Sequence, residues 1–199
     1  MLVRGWSRLL GQLPTKLNVN GVLRDIRSDY RNILRIFTAM NAKELKDEEK
    51  VLVCLRRMYT HFDDIPKSDY KAAYEAAVAF IECNTKEKKE RPPIVNWDKD
   101  EQLIFAEVNK VAGQEIRAVP YLHWWSFLGY FQCVDQNGTW GFILTIRQKR
   151  AMHKKLESHE SEFFNANREL CEVGEYVSPK DQAQDFALQL QKELLSQKD

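Results

Sequence analysis

Apolar residues recur at spacings of three and four along most of this chain, and this period restricts its fold more than any other feature. Glycine and proline, which interrupt helices, are scarce at 8 and 6 of 199 residues. Because residues three and four apart share one face of a helix, the pattern predicts a mainly α-helical protein. A chain of this length also buries enough surface to fold without a disulfide or a bound metal.

The N-terminal part is the exception to the helical period. Asn20-Gly21 favours a tight turn, so Lys16–Ile26 is predicted to form a small β-hairpin. Ser28 is a suitable N-cap for the first helix. Asp98 with Glu101 has the spacing of a capping box for a later helix. Helices are predicted at residues 28–40, 47–59, 68–83, 98–113, 121–131 and 139–170.

These elements are predicted to form a single compact helical domain over residues 1–170. Within it, residues 84–96 combine a run of charges with Pro92-Pro93 and are predicted to be a linker between two helical halves. Residues 171–199 follow as a break and an amphipathic C-terminal helix. That helix must bury its apolar stripe against its own domain, a partner protein or a second copy of the chain. The predicted partner-binding residues are Phe186, Leu190 and Leu194.

Charge and motif content exclude several classes of function. The net charge is +1, from 30 basic and 29 acidic residues, which argues against nucleic acid or an anionic membrane as the partner. No stretch approaches the roughly 20 apolar residues of a membrane span. Without a secretory signal, the protein is expected to be cytoplasmic with reduced cysteines. No zinc-ligand spacing, phosphate-binding loop or nucleophile elbow occurs, so we predict no catalytic residue, no metal, no cofactor and no enzymatic activity.

Arginines form the most basic patterns in the chain. They occur as Arg24, Arg27, Arg31 and Arg35, and as the RQKR run at residues 147–150. One interpretation is a surface that contacts phosphates. Because Asp25 and Asp29 lie among the first group, we favour the other interpretation, a solvated surface whose arginines have acidic partners.

The segment YLHWWSFLGYF, residues 121–131, concentrates aromatic surface. On a helix its apolar side chains cover most of the circumference, which predicts packing against several neighbours. The residues predicted to form this packing hub are Leu122, Trp124, Trp125, Leu128 and Phe131. Replacing Trp125 with alanine is then expected to cost about 3–5 kcal/mol. A pocket lined by Tyr121, Trp124 and Trp125 is the alternative, and it would indicate a small helical enzyme.

The order of several segments resembles a known protein family. The segments WDKDEQLIFAEVNKVAGQEI, YLHWWSFLGYF and ILTIRQKR follow one another with short breaks. They are similar to the gene-product-fifteen family of tailed phages and of prophages in Gram-positive bacteria. The upstream segments VLRDIRSDYRNILRIFTAM and AAVAFIECN resemble the same family. The resemblance extends over residues 17–170.

This resemblance implies a protein of phage tail morphogenesis. Genes of the family usually lie between those for the tail tube and the tape-measure protein, as the genes of tail-assembly chaperones do in lambda-like phages. The implied function is a chaperone that keeps the helical tape-measure protein soluble. Such a protein would bind tape-measure protein and tail-tube subunits, self-associate, act in the host cytoplasm and be absent from the mature virion. A minor structural component of the tail is the alternative, and both expectations rest on analogy.

Overall fold

The computed structural model describes residues 12–83, 94–135 and 138–173. Its elements in chain order are β1 (Lys16–Val19), β2 (Val22–Asp25), α1 (Tyr30–Asn41), α2 (Asp47–Met58), α3 (Tyr70–Ile81), α4 (Glu101–Ala112), α5 (Trp124–Gln132), α6 (Thr139–Ala151), α7 (Ser158–Ala166) and α8 (Arg168–Cys171). The predicted mainly α-helical fold with a small N-terminal hairpin is confirmed.

The hairpin forms where the turn signal predicts it. Asn20 and Gly21 have positive φ angles of 49° and 90°, which suits a two-residue turn and is easiest for asparagine and glycine. The two strands pair antiparallel, with Lys16 opposite Asp25 at the open end. These two side chains also form an exposed ion pair at 3.1 Å.

The first helix begins one residue later than predicted. Asp29, and not Ser28, is the N-cap of α1, because its side chain accepts the Arg31 amide at 2.9 Å. Ser28 is buried instead, and its hydroxyl pairs with the Tyr121 hydroxyl at 2.8 Å. The predicted N-cap is therefore one residue from the observed one, and the capping oxygen belongs to the Asp29 carboxylate and not to the Ser28 hydroxyl.

The predicted capping box at Asp98 and Glu101 is wrong. Helix α4 has Asp100 at its N-cap position. The preceding turn is organised by the Asn96 side chain, which accepts the amides of Asp98 and Lys99 at 3.2 Å and 3.1 Å. This turn occupies the residues that the sequence pattern assigned to the first helical turn.

The long helix predicted over residues 139–170 is broken in its middle, where α6 ends and α7 begins. His153 has a positive φ of 54°, and its amide donates to the Arg150 carbonyl at 3.0 Å. The Lys154 amide donates to the Lys149 carbonyl at 2.8 Å. These two bonds form the motif that commonly ends helices. Because a histidine replaces the usual glycine, this break has no turn signal in the sequence.

The helices pack around one continuous core. Helix α1 packs against α2 and α5, α2 against α3, and α3 against β1, while α4 packs against α5 and α6. Buried apolar side chains from both sides of residues 84–93 belong to this core. The contact between α1 and α5 therefore joins the elements that precede these residues to those that follow them.

Aromatic rings from α5 and its neighbours fill the centre of the core. Trp124 and Phe127 are 1% and 0% exposed, and their rings stack at a centroid distance of 5.6 Å. Tyr30 of α1 stacks on Phe127 at 4.7 Å. Trp97 lies against Trp124 at 6.1 Å and against Phe131 at 5.1 Å. Such ring pairs stabilise a core beyond their buried area.

The predicted packing-hub residues occupy different depths in this core. Leu122 precedes α5, while Trp125, Leu128 and Phe131 lie within it. These four side chains are half-buried and pack against the core, whereas Trp124 is fully buried. The helix thus turns its Trp124 face toward the centre, and Trp125 lies at the edge of the core.

Both tryptophans of the pair also bind the end of α3. The Trp124 indole N–H donates to the Ile81 carbonyl, and the Trp125 indole N–H donates to the Phe80 carbonyl, each at 2.8 Å. The last carbonyls of a helix have no partner within that helix. A buried indole N–H likewise needs an acceptor, so this contact satisfies both groups at once.

Two predicted features lie mainly outside the described residues. Of the predicted linker at 84–96, residues 84–93 fall outside them, while Ile94 and Asn96 are half-buried. Residues 174–199, hereafter the C-terminal segment, also lie outside the described part of the chain. They include the predicted partner-binding residues Phe186, Leu190 and Leu194.

Replacing Trp124 with alanine is expected to lower the free energy of unfolding by about 3–5 kcal/mol, because a large buried ring and the donor to the Ile81 carbonyl are both lost. The matched variant Trp125→Ala is expected to lose less, since that ring is only half-buried. Urea denaturation followed by far-ultraviolet circular dichroism measures both values. A larger loss for Trp125→Ala would contradict the central position given to Trp124.

Candidate functional site

The structure describes the residues from which the C-terminal segment extends, and we call these residues the base. This base comprises residues 168–173, with α8 and the two residues that follow it. It contacts α6 and the turn formed by residues 94–100. The site is therefore built from three stretches that are far apart in sequence.

A buried ion pair lies at the centre of this base. The two terminal nitrogens of Arg147 bind the two carboxylate oxygens of Asp100 at 2.6 Å and 2.8 Å. The two side chains are only 0% and 2% exposed. This two-bond geometry is the strongest form of a contact between arginine and a carboxylate, and it compensates for removing both charges from water.

The same guanidinium also binds two backbone carbonyls. It donates to the Ile94 carbonyl at 3.0 Å and to the Leu170 carbonyl at 2.6 Å. Ile94 is the first described residue after residue 93, and Leu170 lies in α8 shortly before residue 174. One side chain of α6 therefore holds the turn before α4 and the base together.

Two further side chains secure the last residues of the base. The Lys99 ammonium donates to the Glu172 carbonyl at 2.6 Å, and the Asn96 amide donates to the Val173 carbonyl at 3.1 Å. Cys171, which precedes these two residues, is buried at 2% exposure. Because carbonyls at the end of a helix otherwise lack partners, these bonds hold the base in one position.

The role of Arg147 was missed by sequence interpretation, which assigned the whole RQKR run to a solvated surface. Arg150 is exposed as predicted, but Arg147 is buried at 2%. A signal was available, because Trp140, Ile143 and Arg147 follow the three- and four-residue spacing of one buried face. A charged residue on an apolar stripe indicates a buried partner.

Two members of the first arginine group, Arg27 and Arg31, bind backbone carbonyls, whereas Arg35 is exposed. Arg27 donates to the Tyr59 carbonyl at 2.7 Å, just beyond the end of α2. Arg31 pairs with Asp29 at 3.0 Å, as the sequence predicts, and also donates to the Ile116 carbonyl at 3.2 Å. These arginines join distant segments, and their nitrogens are engaged with protein oxygens.

His123 is the N-cap of α5 and is 2% exposed. Its Nδ1 accepts the Trp125 amide at 3.0 Å, and its Nε2 lies 3.0 Å from the Pro14 carbonyl. Since a carbonyl only accepts, the proton is on Nε2 and the ring is neutral. Burial lowers the pKa of His123, and the bond to the Pro14 carbonyl partly opposes this shift.

The residues of the alternative enzyme pocket do not share one accessible surface. Trp124 is buried with its N–H bound to a carbonyl, and Tyr121 is 54% exposed. Across residues 12–83, 94–135 and 138–173, no three His, Cys, Asp or Glu side chains are grouped so that they could hold a metal ion. Among the same residues, no helix is long and apolar enough to span a bilayer.

Lowering the pH is expected to weaken the fold through His123. Its pKa is lower in the folded chain than the unfolded value of about 6.5, so the unfolded chain binds more protons below that pH. The contribution of His123 is therefore complete above about pH 6.5 and declines below it, by at most about 1.4 kcal/mol per pH unit. Denaturation at a series of pH values measures this slope.

His123→Asn separates this effect from other titrations, because asparagine can still cap the helix but carries no titrating group. The variant is expected to flatten the slope below pH 6.5. His61→Asn, at an exposed histidine, is the control and is expected to leave the slope unchanged. Equal slopes for the wild type and His123→Asn would contradict this role.

Arg147→Met is expected to destabilise the protein by about 3–5 kcal/mol, because it leaves the Asp100 carboxylate buried without its partner. The double variant Arg147→Met/Asp100→Leu removes both charges and is expected to be more stable than the single variant. Chemical denaturation of the series gives the coupling between the two side chains.

The exposed neighbour Arg150 provides the control for this experiment. Arg150→Met is expected to cost at most about 1 kcal/mol, since only a surface contact is lost. If the double variant were no more stable than Arg147→Met, the buried charge would not be the source of the loss.

Comparison with known proteins identifies the family that the sequence resembles. A family model described as Bacteriophage Gp15 protein matches residues 9–172. No curated protein and no solved structure matches the chain. The matched region includes the hairpin, the aromatic helix α5, the Asp100–Arg147 pair and nearly all of the base. Because the match covers most of the sequence, the chain belongs to the bacteriophage Gp15 protein family.

Proposed function

We propose that this protein is a tail-assembly chaperone that binds the phage tape-measure protein through its C-terminal segment. The contact would be made by the apolar stripe of Phe186, Leu190 and Leu194. Membership of a bacteriophage family supports a role in the phage cycle. The finer assignment to tail assembly rests on the analogy of gene order described above.

The observation that carries the proposal is the distribution of apolar surface. In the described part of the chain, the apolar faces of the helices are used in the common core. Met152 at the end of α6 and Leu170 in α8 belong to two helices that pack together. The other large apolar side chains exposed there are spread over separate stretches of the chain, at Leu13, Val22, Leu23, Val111 and Tyr121. Scattered exposed side chains of this kind are normal for a protein surface. The C-terminal segment, in contrast, carries a continuous stripe at helical spacing.

The fixed base suits a binding helix attached to a stable domain. Bonds from three side chains restrain Leu170, Glu172 and Val173, which are three of the last four residues before the segment begins. Ordering a connection in advance reduces the entropy that is lost on binding. A helix presented in this way can bind an apolar helical chain through side chains at spacings of three and four.

The proposal also implies further partners of the protein and its location during phage assembly. Contact with tail-tube subunits would let the chaperone release the tape-measure protein as the tube assembles. Self-association would place several copies along one long client. The protein would act in the host cytoplasm and be absent from the mature virion.

The stripe can be tested with two variants of equal composition. On a helix, Leu190 and Leu194 lie on the stripe, whereas Leu188 and Leu195 lie on the opposite side. Leu190→Ala/Leu194→Ala is expected to abolish co-purification with the co-expressed tape-measure protein and to reduce that protein's solubility. The control Leu188→Ala/Leu195→Ala is expected to retain both properties.

Two further results bear on the proposal. A chain that ends at Val173 is also expected to lose the tape-measure protein while keeping the far-ultraviolet circular dichroism of a helical fold. Equal binding by the two leucine variants, or binding by the shortened chain, would reject the stripe as the contact. Detection of the protein in purified phage particles by mass spectrometry would favour a structural tail component over a chaperone.

A further inference from the structure

An exposed surface with apolar and basic side chains adjoins the base of the C-terminal segment. Met152 at the end of α6 is 50% exposed, and Leu170 in α8 is 41% exposed. Helices α6 and α8 pack against each other. We define the exit face as this end of α6, the residues just after it and the exposed side of α8.

Arginine side chains from both helices of the exit face lie over the ring of Phe164 in α7. The guanidinium of Arg150 lies 4.0 Å from the centroid of its ring, and that of Arg168 lies 5.9 Å away. The ring is half-buried. Arginines from α6 and α8 therefore converge on one aromatic ring at the exit face.

The end of α6 and the residues just after it carry three basic side chains that form no salt bridge with the described residues. Arg150, Lys154 and Lys155 are exposed. Within residues 12–83, 94–135 and 138–173, none of the three forms a salt bridge. Arg168, by contrast, pairs with Glu172 at 3.1 Å. An occupant that matches this surface has an apolar stripe and acidic neighbours.

The C-terminal segment of the same chain has this chemistry and begins at this place. Residues 181–194 carry the apolar stripe together with Asp181, Asp185 and Glu193, against the single base Lys192. As a helix they would be about 21 Å long. The connecting residues 174–180 can extend over about 23 Å. That reach is enough for the segment to turn back from Val173 onto the exit face.

We propose that residues 181–194 dock on the exit face of their own chain when no partner is bound, and that the tape-measure protein displaces them. The stripe would pack against Met152 and Leu170, with its acidic residues beside Arg150 and Lys155. The docking itself is independent of the proposed function, whereas the displacement by tape-measure protein rests on it. The contact would cover the stripe until the client is present.

Hydrogen exchange of the full-length protein tests the docking without any partner. Arg150→Glu/Lys155→Glu is expected to speed exchange in peptides covering residues 181–194 by about tenfold, because the charge reversal opposes docking. Raising the salt from about 0.05 to about 0.5 M is expected to speed it in the wild type. The matched control Lys67→Glu/Lys71→Glu makes the same charge change at exposed residues near the start of α3 and is expected to have no effect.

Exchange in peptides from α1 to α3 shows whether each variant keeps its fold. If the charge reversal disturbs them, Met152→Gln tests the same surface without changing its charge. Equal exchange of residues 181–194 in the wild type and the exit-face variants would overturn the docking. Protection that increases with protein concentration would also overturn it, since the occupant would then be a second copy.

The displacement is tested by co-purification with tape-measure protein. Because the exit-face variants release the stripe, they are expected to recover several-fold more of the client than the wild type. If the exit-face variants and the wild type recover equal amounts of tape-measure protein, the proposal that this protein displaces the docked segment is overturned. Loss of binding in Leu190→Ala/Leu194→Ala tests the proposed function alone, so the failure of either inference is recognised separately.

Discussion

The ion pair between Arg147 and Asp100 holds the base of the C-terminal segment against α6 and the turn before α4. A charge this deeply buried is tolerated only when its partners satisfy it. Here one guanidinium binds a carboxylate from the turn before α4, the Ile94 carbonyl and the Leu170 carbonyl. The position of the base therefore depends on a side chain of α6 and not on any local sequence signal within the base itself.

The same physical solution recurs at the ends of other helices. Carbonyls at or just beyond a helix C-terminus lack partners in that helix and carry partial negative charge. Arg27 binds such a group after α2, Trp124 and Trp125 bind those of α3, and Lys99 binds one after α8. Each donor comes from a distant segment. These contacts join the hairpin, the aromatic helix α5 and the base into one arrangement around the core.

The described helices use their apolar faces in the common core, and the partner binding that we propose lies in the chain beyond the base. The aromatic rings of α5 pack inward against Tyr30 and Trp97, so the most unusual stretch of the sequence supports the core and does not form an accessible aromatic pocket. Family membership connects the chain to bacteriophages. The fixed base, the amphipathic C-terminal segment and the exit face together form the basis of the chaperone proposal and of its regulation.

Periodicity predicted the helical class and most helices, because burying one face imposes a spacing that local sequence displays. Asn20-Gly21 likewise located the hairpin, since few residues adopt its turn. The ordered motifs around α5 identified the family. Local sequence did not predict the end of α6, because His153 adopts a positive φ angle without being a typical turn residue. It also placed the N-cap of α4 at Asp98, where the turn formed by Asn96 lies instead. Only the tertiary structure decided that Trp124 lies at the centre and that Arg147 is buried against Asp100. Both positions depend on which distant groups meet in the fold. A buried charge such as that of Arg147 is stable only where a partner such as Asp100 is present.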